Sequence, residues 1–351
     1  MMIIEKLNKQ ERLDFDEALS LYDMDLLTLG EYANKLREQR FGKKTYYNIN
    51  RHINPTNICK DVCQFCAYSA SRKNPYQYTM SHEEILDDVS KSVQNGIDEV
   101  HIVSAHNPHT GLEWYLEIFQ KIKQKFPHLH IKALTAAEIN FLSTQYNKSY
   151  EEIIDLMCQY GVDSMPGGGA EIFDEEVRKR ICGGKVKSDE WLQIHKLWHQ
   201  KGKKSNATML FGHIESRANR IDHMLRLRDL QDITGGFNAF IPLVYQTQNN
   251  YLKVKEPLTA QEILKTMAIS RIVLDNIPSI KAYWVTSTMK LALVAQEFGA
   301  NDLDGTIEKE SIQSAAGANS KNGMPQKEFV ELIQNSGFEA VRRDSLYNEI
   351  G

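Results

Sequence analysis

Three of the five cysteines in this 351-residue chain lie close together, in the stretch NICKDVCQFCAYS at residues 57–69. Cys59, Cys63 and Cys66 are separated by three and then two residues, and Phe65 directly precedes the last of them. Closely spaced cysteine thiolates can bind zinc, act as a redox pair or bind an iron–sulfur cluster. Each kind of site needs different partners in the rest of the chain.

The available partners favour an iron–sulfur cluster. A structural zinc site needs four ligands, commonly in two pairs, and the remaining cysteines, Cys158 and Cys182, are isolated and distant in sequence. A redox pair of the Cys-x-x-Cys type leaves Cys59 without a role. A [4Fe-4S] cluster takes one protein ligand per iron, so three thiolates leave one iron free to bind a substrate. Zinc binding and redox pairing are the alternatives.

The composition limits the classes of protein that could carry such a site. Apolar residues make up 42% and charged residues 25% of the chain, as in a globular protein with a large core. The net charge is −4 and no basic block stands out, which disfavours nucleic acid as a partner. The sequence has no apolar run long enough for a membrane helix and no apolar signal-peptide core at its start. We therefore expect a cytoplasmic protein that does not interact with a membrane.

Short segments rich in β-branched and aromatic residues alternate with longer amphipathic ones, which is typical of a parallel sheet with helical crossovers. The predicted fold is an α/β (β/α)8 TIM-type barrel, either complete or partial, with an N-terminal helical segment and a C-terminal extension. We expect the segment at residues 1–44, the barrel at 45–310 and the extension, packed on the barrel, at 311–351. The predicted strands are 45–53, 99–104, 130–135, 163–166, 205–211, 237–242, 282–287 and, more weakly, 302–305.

Several segments beyond the cysteines carry a resemblance to a known family. The spacing Cys-x3-Cys-x2-Cys with a preceding aromatic residue resembles the radical S-adenosylmethionine superfamily. The segments RKRICGGK, NATMLFGHIES and AFIPL resemble, within that superfamily, the radical enzymes of the futalosine route to menaquinone. The sequences of these segments are most similar to those of the aminofutalosine synthases. The cyclic dehypoxanthine futalosine synthases, and more distantly the FO-synthase type of radical enzyme, are the alternatives.

The resemblance implies a cofactor, a reaction and partners. Cys59, Cys63 and Cys66 would bind a [4Fe-4S] cluster, and S-adenosylmethionine would be consumed as a co-substrate. Its 5′-deoxyadenosyl radical would add to 3-[(1-carboxyvinyl)oxy]benzoate, giving 6-amino-6-deoxyfutalosine, methionine and carbon dioxide or bicarbonate. The reduced cluster would require an external electron donor of the flavodoxin or ferredoxin type.

Residues after the predicted strands are the candidates for cofactor binding, because a barrel carries its active site at that end. Members of the superfamily commonly have Gly-Gly after the second strand, whereas this chain has Ser104-Ala105-His106, which weakens the assignment of Ser104 as a cofactor contact. The alternative to cofactor binding is simple packing for the aromatic residues. For the segment PGGGAE, residues 166–171, the alternative is a tight turn. The cofactor-binding candidates are Phe65, Tyr68, Ser104, Glu138, Gly168 and Glu171.

Three further residues are candidates for catalysis. His213 and Glu215 lie in GHIES after the fifth predicted barrel strand, where an imidazole could bind a substrate carboxylate or move a proton. Arg178 could bind one of the two substrate carboxylates, since arginine binds such groups through two hydrogen bonds. The alternatives are that His213 and Glu215 orient neighbouring groups and that Arg178 is a solvated helix charge. Arg180, Lys185 and Arg220 are further candidates for binding a substrate carboxylate, and the alternative for each is again a solvated helix charge.

Overall fold

The computed structural model describes residues 2–70, 75–254, 256–318 and 323–350. Residues 1, 319–322 and 351 of the predicted terminal segments, and residues 71–74 and 255 of the predicted barrel, lie outside the described residues. The strands are β1 Lys44–Asn48, β2 Asn50–Ile53, β3 Glu99–Ile102, β4 His130–Ala133, β5 Ser164–Met165, β6 Lys204–Phe211, β7 Phe237–Val244, β8 Ser279–Ile280, β9 Asp302–Gly305 and β10 Glu339–Arg342.

Helices precede, connect and follow these strands. The α-helices are α1 Met2–Lys9, α2 Phe15–Ser20, α3 Leu26–Phe41, α4 His82–Gln94, α5 Leu112–Lys125, α6 Ala136–Tyr146, α7 Tyr150–Gln159, α8 Glu175–Cys182, α9 Ser188–Gln200, α10 Arg217–Thr234, α11 Ala260–Val273, α12 Trp284–Ser287, α13 Met289–Val294, α14 Ile312–Ala315 and α15 Gln326–Asn335. Short 3-10 helices span Leu21–Asp23 and Ala295–Phe298. Among the described residues, no helix combines the length and apolarity that crossing a bilayer requires.

Seven strands form one parallel sheet in the order β2-β3-β4-β5-β6-β7-β8, and the helices between them supply the crossovers. Each strand lies next to its successor in the chain, as expected of a barrel wall. The predicted α/β barrel is therefore confirmed in its partial form. Parallel strands of this kind direct all their carboxyl ends to one edge, where the loops meet.

Residues 301–308 join the two edges of this sheet. The backbone N–H of Asn301 donates to Ile280, and that of Ala282 donates to Asp302, which ties the segment to the β8 side. Farther along, the N–H of Glu308 donates to Asn50, so the same segment reaches β2. The weakly predicted strand at 302–305 exists as β9, but it belongs to a second, three-stranded sheet in the order β10-β1-β9.

Two strand predictions were wrong in detail. The predicted strand 45–53 is two strands in different sheets, separated at Ile49, whose N–H donates to the Asp98 carboxylate at 3.0 Å. The predicted strand 282–287 is largely the short helix α12, preceded by the two-residue strand β8. Its β-branched and aromatic residues favour a strand, but the N–H groups of Thr286 and Ser287 both donate to the Tyr283 carbonyl and form a helical turn.

The C-terminal segment contacts the other two strands of the three-stranded sheet. Strand β10 pairs in parallel with β1, with Lys44 opposite Glu339. Just beyond β10, the buried Arg343 donates to the buried Asp302 carboxylate, with the Nη2 to Oδ1 distance at 3.2 Å. The division of the chain at residues 44 and 310 stays a prediction.

Candidate active site

A cavity of about 240 Å³ lies at the carboxyl ends of the barrel strands. Cys59, Cys63 and Cys66 all line it, on a loop that follows β2. The opposite wall comes from residues that end or follow other strands: Ser104, Thr135, Gly168, Leu210 and Tyr245. The structure therefore brings the predicted cysteine site to the end of the barrel at which catalysis is expected.

Backbone hydrogen bonds hold the cysteine loop in place. The N–H of Cys66 donates to Cys63 at 3.1 Å and closes a turn between these two residues. The N–H of Gln64 donates to Ile181 at the end of α8, and its carbonyl accepts from Tyr251 and Leu252. The loop is thereby tied to two distant parts of the chain and presents its thiols in a fixed arrangement.

The three thiols are unpaired and suit an iron–sulfur cluster. The Cys66 sulfur accepts from the Ser69 N–H at 3.4 Å, and backbone N–H groups also point at the Cys59 sulfur. Hydrogen bonds to ligand sulfurs are a usual feature of protein-bound clusters. Burial raises the pKa of Cys63 well above its ordinary value, and the nearby Lys185 ammonium opposes that rise. Such a thiol gives up its proton when a metal takes the proton's place.

Asp61 and His106 form a buried pair beside Cys59, and their possible ligand atoms and the Cys59 sulfur all lie within 4.8 Å of one another. The His106 Nδ1 is 2.6 Å from the Asp61 carboxylate, and the imidazole stacks on Phe141 with ring centres 5.0 Å apart. Burial raises the pKa of Asp61, but His106 outweighs that effect and the pKa is lowered, so the carboxylate accepts and Nδ1 carries the proton. The pair thus supports the loop and its side chains are committed to each other.

Glu138 lies behind the cavity wall and does not line it. Its Oε1 accepts the Ser104 N–H at 2.8 Å, and its Oε2 accepts the Thr135 N–H at 2.7 Å. Burial raises the pKa of Glu138 to about 7. The carboxyl group therefore fixes two backbone segments that do line the cavity, and the predicted role of Glu138 in cofactor binding stays a prediction.

The PGGGAE loop, residues 166–171, brings its backbone against the cavity because its three glycines lack side chains. A Cβ at Gly168 would lie 2.8 Å from the Thr135 methyl group, so only glycine fits this approach. Glu171 has a left-handed backbone, with φ at 45°, and its carboxylate is 2.8 Å from the Lys185 ammonium. Burial works against ionisation, but Lys185 lowers the pKa of Glu171 below its ordinary value.

Arg178 lies under this loop, outside the residues that line the cavity. Its guanidinium donates to the carbonyl oxygens of Gly169, Ala170, Ile172 and Val186, and the Ile172 distance is 3.0 Å. Two of the acceptors belong to the PGGGAE loop, Ile172 directly follows it, and Val186 lies in the turn after α8. The arrangement favours a role in positioning the loop, and the predicted catalytic role of Arg178 stays a prediction.

His213 and Glu215 have wholly buried side chains that do not line the cavity. Glu215 accepts N–H groups from Gly212 and His213 and pairs with Arg220 at 2.8 Å. The imidazole of His213 donates from Nε2 to Leu210 and accepts the Ile214 N–H at Nδ1. Both ring nitrogens are thus used within the turn after β6, and the predicted catalytic roles of the two residues also stay predictions.

Phe65 and Tyr68 both line the cavity, as proposed for cofactor contacts. The Lys185 Nζ lies 5.4 Å from the Phe65 ring centre, so Lys185 contacts the Phe65 ring as well as the Glu171 carboxylate. The Tyr68 hydroxyl donates to the Thr56 carbonyl at 3.2 Å and contacts the Tyr78 hydroxyl. Its ring is therefore held at one angle beside the third cysteine.

Other residues on the wall were not singled out from the sequence. Tyr245 and Gln246 follow β7 within the segment PLVYQTQN, so their position after a strand could have marked them. Ile312, Gln313 and Ala316 reach the cavity from α14 and its end. No pattern in the sequence connects α14 with the cysteine loop, more than 240 residues earlier.

A second cavity, of about 150 Å³, extends into the barrel. It shares Val103, Thr135, Gly168, Thr208 and Leu243 with the first cavity, so the two adjoin. Its inner surface includes His52 and His101, which project from β2 and β3. The first cavity, lined by the three thiols, is the outer cavity, and the second cavity, lined by the two imidazoles, is the inner cavity.

The sequence matches the model of the radical SAM superfamily over residues 53–227 and the model described as the CofH/MqnC C-terminal region over residues 234–350. The aminodeoxyfutalosine synthase of Thermus thermophilus is 40% identical over 99% of this chain and 95% of its own length. The chain belongs to the radical SAM superfamily, in its CofH/MqnC group. Enzymes of this superfamily use a [4Fe-4S] cluster and S-adenosylmethionine, which confirms both cofactors.

Two further proteins show how far the similarity extends. The cyclic dehypoxanthine futalosine synthase of Streptomyces coelicolor is 36% identical over 97% of this chain and 86% of its own length. A crystal structure of methylornithine synthase has a TM-score of 0.77 at 16% identity and covers 97% of each chain, which shows a shared fold. The radical SAM assignment and the barrel predicted from the sequence are both confirmed.

Proposed function

We propose that this radical SAM enzyme is an aminofutalosine synthase. It would add the 5′-deoxyadenosyl group of S-adenosylmethionine to the vinyl carbon of 3-[(1-carboxyvinyl)oxy]benzoate, and release methionine and the carboxyl group as carbon dioxide or bicarbonate. The product would be 6-amino-6-deoxyfutalosine, an intermediate of menaquinone biosynthesis. The 40% identity with the Thermus thermophilus enzyme, over nearly the whole of both chains, carries this proposal.

Cys59, Cys63 and Cys66 are the proposed cluster ligands, since all three thiols line one cavity and none forms a disulfide. A bound cluster supplies the electron that cleaves a carbon–sulfur bond of S-adenosylmethionine. We propose that an external electron donor of the flavodoxin or ferredoxin type delivers that electron. The exposed Val62 lies between two of the cysteines and leaves the loop accessible from outside.

The remaining wall of the outer cavity is the proposed binding site of S-adenosylmethionine. Glu171 offers a carboxylate held in place by Lys185, and Gly168 allows the ligand to approach the backbone closely. Ser104 contributes backbone to the cavity wall, and Glu138 holds that backbone in place by accepting its N–H. Phe65 and Tyr68 contribute aromatic surface next to the cysteines, which suits contact with adenine.

The inner cavity is the proposed site of the aromatic substrate, because it adjoins the outer cavity and is lined in part by Ile241 and Leu243. An apolar wall keeps water and stray hydrogen donors from the reacting carbon. A vinyl group at the junction of the two cavities would lie beside the adenosyl group, with the ring directed inward.

A second candidate activity is that of a cyclic dehypoxanthine futalosine synthase. The 36% identity with the Streptomyces coelicolor enzyme over 97% of this chain favours it. In that case S-adenosylmethionine would give free 5′-deoxyadenosine while a futalosine derivative is cyclised. The two activities differ in whether the adenosyl unit is found in the product.

An anaerobic turnover with product analysis by mass spectrometry tests the proposal. The cluster-loaded protein receives a reductant, S-adenosylmethionine and 3-[(1-carboxyvinyl)oxy]benzoate, and a reaction without reductant is the control. An adduct carrying the adenosyl unit, with methionine released, is the expected result. Free 5′-deoxyadenosine with the benzoate untouched would refute the aminofutalosine synthase and favour the second candidate. If the protein with a fully loaded cluster does not cleave S-adenosylmethionine, both candidate activities are refuted.

A further inference from the structure

The inner end of the second cavity carries two histidines on adjacent strands. His52 on β2 pairs in register with His101 on β3, and the imidazole centres are 4.7 Å apart. Side chains at paired positions project to the same face of a sheet, so both point into the barrel. Each residue keeps part of its surface open to the cavity, although both lie deep in the fold.

The two imidazoles have unused hydrogen-bonding capacity. Within the described residues, no side-chain hydrogen bond involves His101, and its Nε2 is buried without a partner. The Nε2 of His52 lies 3.5 Å from the Asn50 amide nitrogen. The Nδ1 of His52 has no hydrogen-bond partner among the residues that the structure describes. A buried polar group without a partner is costly and calls for an explanation, such as a ligand that completes it.

Two buried lysines in this region are already paired with carboxylates. The Lys132 ammonium is 2.6 Å from the Glu99 carboxylate, and the Lys281 ammonium is 2.7 Å from that of Asp304. These charges cancel in pairs, so neither lysine is a free partner for an incoming anion. The pairs also neutralise the carboxylates that would otherwise repel it.

Two acids line this cavity, Asp304 and Glu310, and Glu310 is similarly occupied. The Glu310 carboxylate accepts three backbone N–H groups, from Ile312, Gln313 and Ser314, at the start of α14. Its oxygens therefore serve the helix end and leave the imidazoles free. Neighbouring donors complete the inner end: the Tyr283 hydroxyl and the Asn206 amide both belong to residues on the cavity wall.

We infer that His52 and His101 bind the ring carboxylate of an aromatic acid at the inner end of the second cavity. This assignment rests on the proposed function, which puts the vinyl group at the junction of the two cavities and so directs the ring inward. The apolar side chains of Val103, Ile241 and Leu243 then contact the ring, and the imidazole N–H groups contact the carboxylate. The histidines would thereby select a benzoate over an uncharged analogue.

The test compares two ligands on the cluster-loaded protein with S-adenosylmethionine and without reductant, so that no turnover occurs. Calorimetry under anaerobic conditions gives the dissociation constants of 3-[(1-carboxyvinyl)oxy]benzoate and of the corresponding benzamide. The native protein should bind the benzoate about ten- to hundredfold more tightly, the range expected for hydrogen bonds to a charged group. His101→Phe and His52→Phe should each weaken benzoate binding and bring the ratio of the two constants towards one.

The control is His130→Phe, on the neighbouring strand β4, because His130 does not line the cavity and its Nε2 contacts Ser164 at 2.7 Å. It should keep the ratio of the native protein. Affinity for S-adenosylmethionine should be unchanged in His101→Phe and His52→Phe, whereas a general loss of structure would lower it. If one variant fails to fold, the other variant and the ratio in the native protein still decide.

Three results overturn the inference, and they can be distinguished from one another. If the native protein turns over the benzoate but His101→Phe and His52→Phe keep its preference over the benzamide, the inference fails and the proposed function stands. If the native protein neither binds nor converts the benzoate, both are overturned. A native protein that binds the benzamide as tightly as the benzoate also overturns the inference, whatever the variants show.

Discussion

Replacing Arg178 by lysine separates a positioning role from a catalytic one. The guanidinium donates to four backbone carbonyl groups, in the PGGGAE loop, at the residue after it and in the turn after α8. A lysine ammonium keeps the charge but cannot span four acceptors, so two or three hydrogen bonds from a charged donor are lost. Each contributes on the order of 1.5–3 kcal/mol, and partial relaxation of the loop recovers some of that. We expect Arg178→Lys to lower the free energy of unfolding by about 3–5 kcal/mol.

The same change should loosen the backbone that lines the outer cavity, where S-adenosylmethionine is proposed to bind. Glu171 belongs to the loop that Arg178 holds, so its carboxylate would lose its fixed position. A loss of about 1.4 kcal/mol in binding corresponds to a tenfold weaker affinity for S-adenosylmethionine. Urea unfolding of the cluster-loaded protein gives the stability change, and equilibrium binding of S-adenosylmethionine gives the second quantity.

Arg180→Lys is the matched control, because Arg180 lies on the same helix and is exposed. It should change neither stability nor affinity. If Arg178→Lys leaves both quantities at their native values and abolishes only turnover, the positioning role is refuted and the catalytic role predicted from the sequence is favoured.

Three further predictions concern the cluster, the ion pair and acid stability. Cys63→Ala should reduce the iron content from about four per chain to near zero, whereas Cys182→Ala, also at a buried cysteine, should keep it by iron and sulfide analysis. Lys185→Met should lower the free energy of unfolding by about 3–5 kcal/mol in urea, since it leaves the buried Glu171 carboxyl group without the ammonium that offsets the cost of its burial; the double change with Glu171→Gln should recover part of that. Burial opposes ionisation of Asp304, but its lysine partner lowers the pKa to about 2 from an ordinary 3.8; the group therefore contributes roughly 2 kcal/mol above pH 4, which is lost as the pH falls towards 2. Asp304→Asn should flatten the fall of the urea midpoint over that range, and an unchanged slope would contradict the assignment.

The features that sequence could predict are those that depend on local spacing. The three cysteines lie in one loop, so their common site needed no knowledge of the fold. The PGGGAE loop was equally accessible, because consecutive glycines after a strand indicate a close backbone approach. The alternation of strands and helices predicted the barrel, since each unit is defined by its own periodicity.

The features that escaped prediction depend on register and on long-range pairing. His52 and His101 face the cavity because β2 and β3 pair in one particular register, and a shift by one residue would turn them outward. Gln313 reaches the site from a helix near the end of the chain. The strand at 282–287 was predicted from β-propensity, which tertiary contacts override when a segment forms a helical turn instead.

The loops at the carboxyl ends of the strands use their acidic residues for the backbone. Glu138 accepts the N–H groups of Ser104 and Thr135, and Glu215 accepts those of Gly212 and His213. A loop that turns sharply after a buried strand leaves N–H groups unpaired, and a carboxylate can accept two of them at once. An acid found after a barrel strand therefore does not by itself indicate acid–base catalysis. In an enzyme whose cofactors supply the reactive species, the protein has less need of such acids for chemistry than for holding the cavity in shape.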